Sequence, residues 1–535
     1  MHEPAGEYLS IYGSHDSAIA IRPREGEFRV YEFERLLGKR YCMIRSEPDF
    51  AAHIRRVQRL IADEYGLTRF HKLLHNELPP DKLAIVADIF GAAQLEEVGH
   101  HHAHAACAFF QSPFERALIV SFDGGGWDHG ACSFFNLYTG DRETGEIRHL
   151  QTIPLDLGNP YSLIAAPIRE IRPGPDSNYH SLVYAGKVMG LAAYGVARPD
   201  WIGPMRAFYR DQDLDALGRA IGLHLDFNTI EGRPAWDLAA TSQRVFEDLF
   251  IETMQPHLQA HPLPVCLTGG CALNVLLNQR LRETLGRPLY IPPNPNDCGL
   301  ALGQLLLALR PRERVLATYA GFGLLDAGEL PRRAREYGAA AAGPAELALL
   351  LRRGEIIGIA AGRSECGPRA LGNRSILCDP SFVSMREILN EKVKFREWFR
   401  PFAPVVRLED VSRYFDFEGE AEYMSFAPRV RAEYADLVPA VVHADGTARV
   451  QTVTRAQHPL LYDLLTEMER QGGPAMLLNT SFNIKGRPIL TTIADALEVL
   501  RTTQLDRVWI EGHLFSKQSR FRAETPAASS PAVAL

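Results

Sequence analysis

Two stretches of this chain repeat one design, and that design limits what its first half can fold into. An apolar run, YLSIY (8–12), passes through the polar turn GSHDS (13–17) into a second apolar run, AIAIR (18–22). Further on, ALIVSF (117–122), DGGGWDHG (123–130) and ACSFFNLY (131–138) follow the same plan. Short apolar runs separated by Gly, Ser and Asp read as β-hairpins with polar tips. A third landmark, VCLTGGCALNVLLNQRL (265–281), reads as a strand, a Gly-Gly turn and a helix. The expectation is an α/β first half in which two hairpin tips and one glycine turn are presented from buried strands.

That arrangement is the layout of the actin-like ATPase fold, where the tips grip phosphates and the last turn holds the nucleoside. After about residue 310 the texture changes to linker and plain helices, and strands resume at EIIGIAAGR (355–363). A boundary is therefore expected near 320–345, giving domains at 1–325 and 345–520. The Pro/Ala/Ser-rich end (521–535) is expected to be disordered. With 535 residues each half can bury a core of its own. A net charge of −7 and the lack of a long basic stripe speak against nucleic acid as a partner. The longest apolar run, LALGQLLLAL (300–309), is too short to span a bilayer, and the acidic MHEPAGEYLS start does not resemble a signal peptide. Eight scattered cysteines without a C-x-x-C pair suggest reduced, buried thiols in a cytoplasmic protein.

Chemistry concentrates in three places. GRSECGPRALGNRSILCDP (362–380) sets Arg369 and Arg374 among turn-forming glycines, so both guanidiniums are expected to point inward at a small dianion such as a phosphate ester. KFREWFRPFAP (394–404) follows, with Lys394, Arg396 and Arg400 embedded in aromatic residues, the mark of a partly dry anion pocket. Finally, VGHHHAHAACAFF (98–110) carries four histidines. On a helix His100 and His104 stand one above the other. With Asp123 at a hairpin tip and Asp297 in PPNPNDCGLALG (292–303), they form a two-histidine, two-carboxylate set suited to Fe(II), Zn(II) or Mn(II). His101 and His102 lie on other faces and are read as bystanders.

These residues together resemble the O-carbamoyltransferase family of bacterial secondary metabolism, antibiotic biosynthesis and nodulation-factor modification. The resemblance runs from HDSAIAI (15–21) to LDRVWIEG (505–512) through HHHAHAACAF, SFDGGG, GKVMGLAAYG, LTGGCALN, DCGLALG, GPRALGNRSILCDP, KFREWFRPFAP, HADGTARVQTV and LNTSFNIKGRPI. It implies a duplicated actin-like (ASKHA) N-terminal domain, similar to tRNA threonylcarbamoyl-transferring ATPases and bearing iron. It also implies a YrdC-like α/β C-terminal domain, so the fold class combines α/β and α+β.

By that resemblance, Arg369, Arg374, Lys394, Arg400, Arg449, Asn479, Ser481 and Asn483 bind carbamoyl phosphate. Phosphate leaves, and the carbamate attacks Mg-ATP to give carbamoyl adenylate and pyrophosphate. Gly124, Gly125, Gly126, Lys187, Gly269, Gly270 and Asn274 hold the nucleotide in the first half. Fe(II), or another divalent metal, sits on His100, His104, Asp123 and Asp297, with His15 as general base toward a small-molecule hydroxyl. Departures fall at Trp127 and in segment 28–70, both bearing on the acceptor, which no motif identifies; nor does any motif report the oligomeric state. Competing readings are an actin-like small-molecule kinase or ATPase, a non-catalytic metal-binding module, and a tRNA threonylcarbamoyl-type transferase.

Overall fold

The computed structural model describes residues 8–24, 27–128, 130–171, 183–484 and 486–517. The expectation for residues 521–535 lies outside them. Ten strands belong to the first half: β1 Tyr8–Tyr12, β2 Ala18–Arg24, β3 Glu27–Glu32, β4 Lys72–Asn76, β5 Gln94–Glu97, β6 Arg116–Asp128, β7 Ala131–Asp141, β8 Glu146–Ile153, β9 Val265–Thr268 and β10 Leu289–Tyr290. They form two five-stranded sheets, ordered β3-β2-β1-β4-β5 and β8-β7-β6-β9-β10. The sheets repeat each other strand for strand. In both, the first strand pairs antiparallel with the second and parallel with the fourth.

The two hairpins of the sequence are β1–β2 and β6–β7. The second differs in detail from expectation. DGGGWD is not its turn: β6 runs on to Asp128, with the register shifting between Phe122 and Gly126. Three successive small residues let the strand bulge there instead of ending.

Two helices tie the sheets together. His100–Gln111 and Leu300–Leu309 pack on each other, and the latter also lies on β1 and β2. The alanine-rich HHHAHAACAFF makes this crossing close, because a Cβ at Gly303 would stand 2.0 Å from the Ala103 carbonyl oxygen. Ser10 reaches across to the same helix, its Oγ donating to the Ala301 carbonyl at 2.6 Å.

The second half is one eight-stranded sheet: β11 Ala340–Ala341, β12 Ile357–Ala360, β13 Arg374–Cys378, β14 Ala403–Arg407, β15 Gln451–Val453, β16 Met476–Ser481, β17 Arg507–Ile510 and β18 His513–Ser516. Its order is β11-β18-β17-β12-β13-β16-β14-β15. The halves share a core. Val120 and Phe122 of β6 belong to the same buried cluster as Ile376, Phe399 and Val508. Phe399 and Phe402 are buried, each contributing about 1.5–3 kcal/mol of hydrophobic stabilisation, enough to fix Arg400 between them. Phe395 and Trp398 differ from expectation and are about half exposed. No helix among the described residues is long and apolar enough to cross a membrane.

Candidate functional site

A cavity of about 660 Å3 lies between the two halves and takes lining residues from both. One end is set by His15, Asp16, Asp123 and Asp297, the other by Arg369, Lys394, Arg396, Arg400 and Arg449.

The histidine end is built by the helix His100–Gln111 and by two loops. Gly99 precedes the helix, and the Asp128 carboxylate accepts the His101 backbone N–H at 3.1 Å, which fixes the first turn. The ring of His100 then needs the space beside β6: a Cβ at Gly126 would stand 2.1 Å from its Cδ2. Asp123, at the β6 bulge, is oriented by two backbone N–H groups, Gly124 to Oδ1 and Gly270 to Oδ2, both at 2.6 Å. Tyr12 of β1 donates its hydroxyl to Asp297 Oδ2 at 2.6 Å.

The result is that ligand atoms of His100, His104, Asp123 and Asp297 all lie within 4.8 Å of one another. His104 Nε2 stands 3.2 Å from Asp123 Oδ2 and 3.4 Å from Asp297 Oδ1, close enough for charge attraction but without hydrogen-bond alignment. All four ring nitrogens of His100 and His104 are buried without a hydrogen-bond partner. Leaving such groups unpaired costs about 1–3 kcal/mol each, so the donor set fits a bound divalent cation better than a bare network. Glu77, with Oε1 3.6 Å from His100 Nδ1, is placed to orient that ring from behind. Neither Tyr12 nor Glu77 carried a sequence signal; their roles come from the pairing of β1 with β4.

Burial lowers the proton affinity of His104, but Asp123 and Asp297 outweigh it and raise its pKa to about 9. Asp297 is held well below the usual carboxylate range; burial opposes this, while His15, His100 and His104 drive it. His15 corrects the expectation of a free base. Its Nε2 is 3.3 Å from Asp297 Oδ2, and although burial works against the charge, Asp297 and Asp16 raise its pKa to about 10. In this arrangement His15 holds its proton. His101 and His102 stay outside the group as expected: His101 bridges Ser121 and Ser133, and His102 faces the Ile147 carbonyl.

The arginine end behaves in the opposite sense. Arg369 and Arg449 have no hydrogen-bond acceptor or counterion among the described residues. Burial, then repulsion from Arg400, lowers Arg369 to about 10. Arg449 is pushed well down by burial and by Arg369, Arg396 and Arg400. Lys394 Nζ sits at the end of β16 within hydrogen-bond reach of the Ser481 carbonyl at 2.5 Å, Ser481 Oγ at 3.1 Å, the Asn483 carbonyl at 2.8 Å and Asn483 Oδ1. Burial, then Arg396 and Arg400, push its proton affinity well down. Asn479 spends its amide on the Ala370 carbonyl and Gln451, which ties β16 to the Arg369 loop and leaves its buried Oδ1 unpaired.

Arg374 is a second correction. It is fully buried, opens β13 and does not line the cavity. Its guanidinium donates to the carbonyls of Ala361, Gly362 and Asn373, so it braces the loop that displays Arg369. Sequence reading paired the two arginines because both follow glycines; the strand start at 374 turns the second one away. Among the residues expected at the nucleotide, Gly124, Gly270, Asn274 and Lys187 line the cavity, whereas Gly125, Gly126 and Gly269 do not. Those three serve close packing instead: a Cβ at Gly269 would meet the Phe122 carbonyl oxygen at 2.1 Å. Asn274 caps the helix Val275–Thr284 through Leu277 N–H and is clasped by Gln243. Lys187 is ion-paired across the halves with Glu397 at 2.7 Å, beside Arg400. Segment 28–70, which followed no motif, supplies Glu32, Glu34, Arg40 and Tyr41 to the lining.

Two family models match this chain: Carbamoyltransferase N-terminus over residues 84–306 and Carbamoyltransferase C-terminus over 348–517. Nodulation protein NolO of Bradyrhizobium diazoefficiens is 33% identical over 461 residues, covering 79% of either chain. Nodulation protein U of Rhizobium tropici is 33% identical, covering 78% of this chain and 75% of its own. Nodulation protein U of Azorhizobium caulinodans is 29% identical over 94% of this chain and 97% of its own. Among solved structures, full-length HypF in its phosphate- and nucleotide-bound form aligns with 57% of this chain and 56% of its own, at 13% identity and a TM-score of 0.35.

Proposed function

This chain belongs to the carbamoyltransferase family, and we propose that it makes carbamoyl adenylate from carbamoyl phosphate and ATP, then passes the carbamoyl group to a hydroxyl of a small-molecule natural product. The observation that carries this reading is the single cavity with a cationic end and a histidine–carboxylate end. Its two halves are read as a duplicated actin-like domain, from the repeated strand order, and a YrdC-like domain.

At the cationic end Arg369, Arg400, Arg449 and Lys394 neutralise carbamoyl phosphate. The approach of a dianion relieves their mutual repulsion, so the desolvation already imposed on them favours binding. Water-assisted loss of phosphate leaves carbamate, whose oxygen attacks the α-phosphorus of ATP as the bond to pyrophosphate breaks. Gly124, Gly270, Asn274 and Lys187 then receive the adenylate at the other end without its leaving the cavity. A divalent metal on His100, His104, Asp123 and Asp297, with Fe(II) the first choice by family resemblance, would supply Lewis-acid polarisation of the carbamoyl carbonyl. The acceptor oxygen attacks that carbon and AMP leaves; the hydroxyl proton goes to His15 after that residue has left Asp297 and released its own proton to water.

The test is stoichiometry. Each carbamoyl group transferred yields one AMP, one pyrophosphate and one phosphate, quantified together in a reaction with an accepted hydroxyl compound. ADP as the main nucleotide product would favour a kinase, and turnover without ATP would remove the adenylate.

A further inference from the structure

We infer that Glu32 and Arg35 are positioning residues for Arg369, acting from the N-terminal half on the anion-binding loop of the C-terminal half. The inference rests on the reading of the arginine end as the carbamoyl phosphate site. Both residues are buried and both fall outside the stretches matched by the family models.

The Arg35 guanidinium holds the loop through two hydrogen bonds and sits against one carboxylate. Nη1 donates to the Glu365 carbonyl at 2.6 Å and Nη2 to the Gly367 carbonyl at 2.7 Å, while Nε stands 2.5 Å from Glu32 Oε2 as an ion pair without hydrogen-bond alignment. Glu32 returns the grip: its Oε1 accepts the Gly367 N–H at 3.3 Å. A buried ion pair is a poor source of stability, since an apolar pair of similar volume packs as well. What the pair adds is direction, because the planar fork fits two carbonyls at a fixed spacing. The grip lies two residues from Arg369. Between them stands Pro368, whose ring removes the soft φ that would absorb a displacement. Gly367 has φ +128, and a Cβ there would meet the Pro293 carbonyl oxygen at 2.4 Å, so the backbone path is tightly constrained. On the far side the Glu365 carboxylate accepts the N–H groups of Leu371, Asn373 and Arg374 at 2.7, 2.8 and 3.2 Å. Arg369 itself has no hydrogen-bond partner among the described residues. Its position is therefore set by the loop, which Arg35 and Glu32 hold from the first half while Glu365, Arg374 and Asn479 hold it from the second.

The test uses the full chain. Glu32→Leu/Arg35→Met removes both charges without stranding either, and Arg35→Lys keeps the charge but loses the fork. KM for carbamoyl phosphate is read from pyrophosphate release, alongside KM for ATP, kcat, and calorimetric binding of inorganic phosphate. The double variant is expected to raise the carbamoyl phosphate KM and weaken phosphate binding about 10- to 100-fold, the scale of an ångström-level misplacement. Arg35→Lys, at a residue that does not line the cavity, should fall between it and the parent, with ATP KM and kcat unchanged. An unchanged carbamoyl phosphate KM in a folded double variant overturns the inference, as does an equal rise in both KM values. If the double variant does not fold, an unchanged KM in Arg35→Lys overturns it. Arg369→Ala is the reference: if it too leaves the carbamoyl phosphate KM unchanged, the anion-site reading has failed and this inference falls with it.

Discussion

The two ends of the cavity carry charge in opposite ways. At the histidine end each cation faces a carboxylate: His15 and His104 both meet Asp297, and His104 also meets Asp123. At the other end burial lowers the proton affinity of Arg369, Arg396 and Arg449, and Arg400 lowers it further in all three, while Arg400 itself has Glu397 at 3.5 Å. The first end holds carboxylates in excess of the cations they face, Asp16 and Glu77 besides Asp123 and Asp297; the second holds cations in excess and is complete only with an anion. Like charges gathered in a dry place therefore report their ligand's sign directly. A mixed cluster does so only through its unpaired ring nitrogens.

The strongest way to break this contrast is to empty the histidine end. His100→Ala/His104→Ala should lose bound metal and cut carbamoyl transfer by more than about 100-fold, because removal of ligands exceeds the 10–100-fold typical of their supporting partners. Formation of pyrophosphate from carbamoyl phosphate and ATP should persist, since the arginine end is untouched. Metal analysis and product quantification on one preparation check both halves of the claim. Full metal content with full transfer would dissolve the distinction between the ends.

A smaller effect sharpens the arginine end. Arg449→Ala and Lys394→Ala should each raise KM for carbamoyl phosphate about 10- to 100-fold, as a charge-assisted hydrogen bond worth about 1.5–3 kcal/mol is lost. Metal content should not change. Arg374→Met should do something else. It strands the carbonyls of Ala361, Gly362 and Asn373, at about 1–3 kcal/mol for each group left buried and unpaired. Its signature is a lower Tm, read by thermal unfolding. A Tm equal to the parent with a raised KM would return Arg374 to the ligand site.

The fate of Arg374 shows where sequence stops being informative. The two hairpins, the Gly-Gly turn and the histidine spacing are local patterns and appear in the structure, although DGGGWD extends β6 instead of turning it. A glycine before an arginine gives the loop its freedom but not the direction of the side chain. That direction depended on where β13 begins and on which carbonyls of residues 361–373 lacked donors. The glycines split for the same reason. Gly124 and Gly270 face the cavity, while Gly125, Gly126 and Gly269 make room for neighbouring atoms, and both duties select the same residue. Tyr12, Glu77 and the Glu32–Arg35 pair were invisible because each acts on a partner far away in the chain.

The smallest expected effect separates the ends without any assay of turnover. Inorganic phosphate at about ten times its Kd should stabilise the protein by about 1.4 kcal/mol, a rise in Tm of about 1–3 °C for a chain of this size. Arg449→Ala should lose that rise, and His100→Ala should keep it. The pH dependence follows from Arg369, which burial lowers from its ordinary value to about 10. Between those two values the unfolded chain binds more protons than the folded one, so the stability of the free protein increases with pH in that window. The gain from phosphate must run the other way. It is fully present while Arg369 is charged and shrinks as pH climbs through about 10, because each proton lost removes a charge that phosphate was neutralising. Thermal scans with and without phosphate, near neutrality and again on the alkaline side, read the difference. A phosphate shift that survives Arg449→Ala, or that disappears with His100→Ala, would place the anion at the wrong end of the cavity.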